Sequence, residues 1–233
     1  MMMKVDIGII GALSEETEGL VAMLEAPECE EVGMITFHTG VLHGKKVAIA
    51  KCGVGKVFAA ICAEAMIIKY APKLIVNTGV GGALAKGLQT ADTVIADRLC
   101  QHDMDTSPLG DPKGLISGIN VIYFDADSRA VEILKKSADE LSLSSFVGTV
   151  ASGDKFIASK EDKERIVTEF SAIACEMEGA AIAHTCFVNN TAFAVVRAIS
   201  DSADGDATMD YPSFLPIAAK NSTALTLALV KSY

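Results

Sequence analysis

The chain has 233 residues, half of them hydrophobic, and a formal net charge of −10. That length suits one α/β domain, residues 1–233, with a large core. The negative balance argues against nucleic acid or an anionic membrane surface as partner and leaves a neutral or cationic small substrate open.

The apolar stretches are interrupted by Lys, Glu or Gly before the ~20 residues a membrane span requires, so no membrane association is expected. The opening MMMKVDIGIIGAL holds Asp6 within its apolar part and no small-residue cleavage site, so it reads as a first strand and not as a signal peptide. Cys29, Cys52, Cys62, Cys100, Cys175 and Cys186 show no CxxC spacing. Scattered among apolar neighbours, they predict reduced core thiols and a cytoplasmic address.

In chain order, residues 4–10 read as a buried strand turned by Gly11 and Ala12. Ser14 is the expected N-cap of a helix to Leu24, with Glu15, Glu16 and Glu18 in its first turns. Residues 34–41 and 46–52 form a hairpin about His43-Gly44. Gly53-Val54-Gly55 opens a helix over 56–70, and 74–77 is a buried strand ended by Thr78-Gly79-Val80-Gly81-Gly82. Strands are predicted at 92–97, 119–124 and 146–151, a helix at 127–141, and a helix capped by Ser159 running to Phe170. Residues 100–118 lack periodicity and read as a long loop, a class of segment that is often functional. Apolar runs at 172–175 and 192–199 flank a small-residue helix at 179–186, and 212–230 is the closing helix. The alternation implies a mixed sheet with helices on both faces.

Two glycine clusters invite nucleotide-binding readings, and both fail. The stretch at 50–57 has Ala50 at the first Gly of a P-loop and Val57 where Ser or Thr must stand. The stretch at 79–84 ends in Leu84 and leaves too few residues for a crossover helix. Their shared meaning is close backbone approach to a ligand or to packed neighbours. His102, Asp103 and Asp105 form no established metal-ligand spacing, and polar groups that fix their own loop are the preferred reading. His184 reads as a core or interface histidine, and His38 merely alternates within a strand.

The stretch from Ala174 to Asp204 concentrates the chemistry. Glu176 and Glu178 close one apolar run, and Arg197, Ser200 and Asp201 close the next. In parallel α/β proteins, functional groups gather where strands end. Each acid also has a structural reading: Glu176 and Glu178 suit a helix start, and Asp201 suits a cap or turn.

These pieces carry a resemblance over nearly the whole chain: IGIIGALSEE (7–16), KCGVGKVFAA (51–60), IVNTGVGGAL (75–84), HDMD (102–105), ASGDKFI (151–157), CEMEGAAIAH (175–184) and VVRAISDSAD (195–204). The chain resembles the 5'-methylthioadenosine/S-adenosylhomocysteine nucleosidases of the purine and uridine phosphorylase superfamily. The resemblance implies a three-layer α/β/α fold with a central mixed sheet, no cofactor, no metal and a homodimer. It implies that Glu16 deprotonates the attacking water, Glu178 beside Met177 accepts the ribose hydroxyls, and Asp201, oriented by Ser200, protonates N7 of adenine. Phe156 and the Ile157 backbone would cover and read the base. Arg197 would lie by the water and the carboxylates, with Glu176, Val80 and Gly81 at the substrate. An aromatic residue that closes the site ahead of the last helix falls on Tyr211.

The chemistry fits those residue types. Breaking an N-glycosidic bond through an oxocarbenium-like state needs an acid for the leaving group and a base for water. It also needs a carboxylate that accepts the sugar diol. The chain departs from the family at Val80, where Ser is common, at Ala83 in place of Gly, and at Tyr211, where Phe is usual. The divergent 106–118 loop is the segment that reaches the partner's 5' pocket in this family. The apolar Met104, Leu109, Leu115 and Ile116 of the whole 100–118 loop predict a homodimer interface there. A phosphate-dependent phosphorylase, an aminofutalosine nucleosidase and a non-catalytic nucleoside-binding module are the alternatives. Against the phosphorylase, phosphate recruits Arg, the chain has only Arg98, Arg129, Arg165 and Arg197, and Glu16 would repel the anion.

Overall fold

The structure, a computed structural model, describes residues 4–203 and 207–233, with only the backbone of 208–210. Asp204, which ends the last motif, lies outside the described residues. The elements are β1 (Ile7–Gly11), α1 (Ser14–Val21), β2 (Glu25–Val32), β3 (Ile35–Leu42), β4 (Lys45–Lys51), α2 (Lys56–Tyr70), β5 (Leu74–Ala83) and β6 (Thr93–Gln101). After a 3-10 turn (Ser107–Leu109) come β7 (Phe124–Asp125), α3 (Ser128–Glu140), β8 (Ser145–Ser152), α4 (Lys160–Phe170), β9 (Ala174–Glu176), α5 (Gly179–Val188), β10 (Ala192–Asp201) and α6 (Ala207–Ser232).

The strands form the expected mixed sheet, in the order β10-β6-β8-β9-β5-β1-β4-β3-β2. β10 also pairs with β5, so β5, β10, β6, β8 and β9 close on themselves while β1 to β4 extend from one side. Helices cover both faces because strand side chains alternate. Ile10, Ile75 and Val195 join the core beneath α2 and α5, whereas Ile9, Val76 and Val196 join the core shared with α1, α3 and α6.

Five sequence expectations need correction. β2 is not expected from EAPECEEV, which is half glutamate and contains Pro27. It is an exposed edge strand on β3, and Ala26 and Pro27 sit where its pairing register shifts. The strand predicted at 119–124 shrinks to Phe124–Asp125, because the Ile116–Val121 bridge folds that segment back through Asn120 at positive φ. β5 does not stop at Asn77 but continues through the glycines to Ala83. Leu13, not Ser14, is the cap of α1; the Glu16 carboxylate takes the free amides there. α6 begins at Ala207 and contains Pro212 and Pro216, so Tyr211 stands inside the helix and not ahead of it.

Residues Tyr211–Ser232 of α6 are long and apolar enough, by length and composition, to cross a membrane, although Lys220 and Lys231 interrupt the apolar run. In the fold, Leu225, Leu229 and Val230 are buried in the core with Ile7, Ile9 and Val196. That face packs as a layer of the domain.

Candidate active site

A cavity of about 460 Å³ opens where β1, β5, β9 and β10 end. Its walls include Glu16, Val80, Gly81, Phe156, Ile157, Glu176, Met177, Glu178, Ser200, Asp201 and Tyr211. The tertiary fold thus brings together every site residue singled out in the sequence except Arg197, which lies behind the wall, 1 % exposed.

Glu16 enters from the first turn of α1 and is buried. Its Oε2 accepts the amides of Ala12 (2.6 Å) and Leu13 (3.0 Å), and its Oε1 accepts the amide of Val80 (3.1 Å). Those bonds aim the carboxylate at β5 and explain the glycine there. A Cβ on Gly79 would stand 2.5 Å from Glu16 Oε1, and one on Gly82 would stand 2.9 Å from Asp201 Oδ1. The close approach expected of this glycine run is to the site's own side chains. Burial raises the Glu16 carboxyl above its ordinary pKa, with Arg197 and the three amides opposing.

The two acids flanking Met177 divide sharply. Glu176 Oε1 accepts the Ser152 hydroxyl, and Oε2 accepts the amides of Glu178 (3.0 Å) and Gly179 (2.7 Å) and Arg197 Nη2. Its carboxylate is therefore engaged by protein donors, although it forms part of the cavity wall. Burial opposes its charge, but Arg197 and the Ser152 bond outweigh burial and hold its pKa below the ordinary value. Glu178, by contrast, accepts the Gly55 amide on Oε1 (2.8 Å), and its Oε2 is 3.9 Å from Arg197. Burial first, and then the Glu176 charge, push its pKa up to about 7. Arg197 also donates to Asn77 Oδ1 and to the Val196 carbonyl (3.2 Å).

Asp201 ends β10 beside a register shift against Gly81 and Gly82. Its Oδ1 accepts the Ala203 amide (2.9 Å), and its Oδ2 is 2.9 Å from Ser200 Oγ. Ser200 Oγ also lies 3.4 Å from the Gly81 carbonyl. A hydroxyl has one proton to give. The shorter contact makes Asp201 Oδ2 the acceptor of that proton, and the bond orients the carboxyl group.

Across the cavity, the Phe156 and Tyr211 rings meet edge to face, with centroids 5.7 Å apart at 84°. Burial and the surrounding carboxylates push the Tyr211 phenol up to about 12. Sequence reading missed Ala12, Leu13, Val54, Gly82, Lys155 and Cys175, which complete the lining. The Gly53-Val54-Gly55 cluster was their clearest signal, since Gly53 and Gly55 both adopt positive φ.

Among the described residues, no group of three or more His, Cys, Asp and Glu side chains is placed to hold a metal ion. Asp103 binds Lys56, Asp105 accepts the Ser107 amide (2.9 Å), and the His102 carbonyl accepts from Arg165 (3.3 Å). His184 stacks on Phe124 with centroids 5.2 Å apart.

Residues 6–231 match the family described as the phosphorylase superfamily. The chain is 40% identical over 225 residues to the 5'-methylthioadenosine/S-adenosylhomocysteine nucleosidase of Staphylococcus aureus (strain JH9), covering 96% of this chain and 98% of that one. The Neisseria meningitidis nucleosidase of the same name, crystallised with methylthio-immucillin-A, superposes with a TM-score of 0.95 at 35% identity, covering 98% and 99% of the two chains. The native futalosine hydrolase of Helicobacter pylori superposes with a TM-score of 0.94 at 35% identity, covering 100% and 99%. The chain therefore belongs to the phosphorylase superfamily and, within it, to the 5'-methylthioadenosine/S-adenosylhomocysteine nucleosidase family.

Proposed function

We propose that this protein hydrolyses the N-glycosidic bond of 5'-thio-substituted adenosines, 5'-methylthioadenosine and S-adenosylhomocysteine, releasing adenine and the thioribose. The observation that carries this reading is the convergence of three buried carboxyl groups, from α1, the β9–α5 junction and β10, on one cavity. Each is held differently, as the three roles require.

Glu16, aimed by three amides, takes a proton from the attacking water; burial makes it a stronger base than a solvated carboxylate. Glu178 keeps Oε2 for the ribose hydroxyls, since Gly55 occupies Oε1. Asp201, oriented by the Ser200 hydroxyl and the Ala203 amide, donates a proton to N7 of the departing adenine. Phe156 covers the base, with Tyr211 packed against it and Ile157 and Met177 beside it. Val80 and Gly81 floor the cavity between sugar and base. Arg197 acts through Glu176, as a positioning residue, because both are bonded to protein partners.

Adenine release in phosphate-free buffer from a panel of 5'-substituted adenosines tests this reading. Strict phosphate dependence, with a sugar 1-phosphate as product, would overturn it. The carboxylates that surround the nucleophile position disfavour phosphate, and Lys155, the cation on the cavity wall, is bonded to Asp162 (2.6 Å). Futalosine-type nucleosides belong in the panel, because the Helicobacter pylori futalosine hydrolase has so similar a fold.

The same reading makes the protein a cytoplasmic homodimer. Support for the address comes from five buried unpaired cysteines, with Cys29 alone exposed. Support for the dimer comes from the apolar face of α2 and α5, where Val57, Ile61, Ile68 and Val188 are exposed. In the 100–118 loop, Leu109 is 83% exposed and available to a partner, whereas Ile116 is buried in its own chain.

A further inference from the structure

The Glu178 carboxylate is positioned by the Gly55 amide, and Gly55 has no side chain to hold its own place. At φ +101 and two residues after Gly53 at φ +92, it sits in backbone with wide conformational freedom. Something must fix it. Gly55 is also the N-cap of α2 and offers no capping group.

The missing cap comes from another part of the chain. Asp154 Oδ1 accepts the amide of Lys56, the first residue of α2, at 2.8 Å, and places a negative charge at the helix N-terminus. The Asp154 amide in turn donates to Asp103 Oδ2 at 2.9 Å, and Asp103 Oδ1 receives Lys56 Nζ at 2.6 Å. Three residues from three segments therefore form a closed ring. Lys56 Nζ also donates to Gln101 Oε1 at 3.2 Å and anchors the ring to the end of β6.

Each side of the ring leads to the cavity. Gly55 precedes Lys56 and holds Glu178; Lys155, Phe156 and Ile157 follow Asp154 and line the cavity. We propose that Lys56, Asp103 and Asp154 are positioning residues, a latch that holds the sugar-binding carboxylate Glu178 and the base-covering segment 155–157 in fixed relation. The proposal rests on the reading of Glu178 as acceptor of the ribose hydroxyls. The Lys56–Asp103 pair is partly solvated, where an ion pair adds little to global stability. The latch acts on geometry, so its loss falls on substrate positioning.

The test compares 5'-methylthioadenosine with its 3'-deoxy counterpart, through kcat and KM, in wild type, Glu178→Gln, Asp103→Ala, Lys56→Met and the Asp103→Ala/Lys56→Met double variant. Wild type should favour the substrate with the complete diol. Asp103→Ala and Lys56→Met should each reduce that preference by about tenfold, chiefly through KM, with little change in melting temperature. The double variant should be no worse than either single variant, because one opened link opens the ring. Lys56→Arg, which keeps charge and donors, should restore the preference. Asp103→Asn, which keeps an acceptor for the Asp154 amide, serves if the alanine variant does not fold. Unchanged preference in the ring variants, with its loss in Glu178→Gln, would overturn the latch alone. Unchanged preference in Glu178→Gln as well would overturn the ribose reading and the latch with it.

Discussion

Arg197 donates to Glu176 while standing 3.9 Å from Glu178, and this unequal sharing puts two acids, two residues apart, in opposite states. Glu176 is held ionised below its ordinary pKa, and its charge helps push Glu178 up to about 7. A buried ion pair is worth little against an apolar substitute, but breaking one strands a charge. Glu176→Gln, which leaves Arg197 without its full counter-charge, should cost about 3–5 kcal/mol of stability by chemical denaturation.

Glu178 makes the unliganded fold sensitive to pH. Its folded pKa, about 7, lies above the ordinary 4.5, so over that window the native state binds more protons than the unfolded chain. Its contribution to stability therefore falls as pH rises from about 4.5 to about 7 and is constant above. In thermal melts across this range, wild type should lose ground relative to Glu178→Gln. A difference that stays flat or rises would show that Glu178 is ionised throughout.

The acid and the base should separate by leaving group. Asp201→Asn keeps the shape but carries no transferable proton, so turnover should fall at least ~10²-fold on an adenine nucleoside. The loss should shrink on a nucleoside whose leaving group departs without protonation. Glu16→Gln should remain slow on both substrates, because water still lacks its base. Near wild-type turnover by a folded Asp201→Asn would reassign the acid.

Gly79 is held small by the catalytic geometry. Its φ is not in the positive range, and an added Cβ would meet Glu16 Oε1 at 2.5 Å and Glu16 Cδ at 2.9 Å. Gly79→Ala should displace Glu16 from the Val80 amide and lower kcat by ~10²-fold or more, with KM changed less. Turnover comparable to wild type would show that Glu16 does not act from the observed position.

Sedimentation at micromolar concentration should give a dimer. Ile61→Glu, on the exposed apolar face of α2, should shift it to monomer, and Leu109→Asp should weaken it. A wild-type monomer with full activity would remove the homodimer reading.

The sequence by itself determined what depends on near neighbours. The helix over 56–70 follows from its glycine start and apolar spacing, and α4 follows from Ser159, which caps it through the Asp162 amide (3.2 Å). The acids at strand ends stood out because a polar residue closing an apolar run is a local contrast. The tertiary structure decided what depends on partners remote in sequence. β2 exists because β3 offers it an edge, although half of its residues are glutamates and it includes Pro27. β5 runs through its glycines because β10 and β9 pair with it there, and Glu16, Arg197 and Asp201 leave room only for glycine, where the local signal predicts a turn. Only the fold could part Glu176 from Glu178, since Arg197 lies more than twenty residues beyond Glu176 and Gly55 lies 123 positions from Glu178. Local propensity carries no information about which buried charge finds a partner. Desolvation and pairing decide that once the chain is closed.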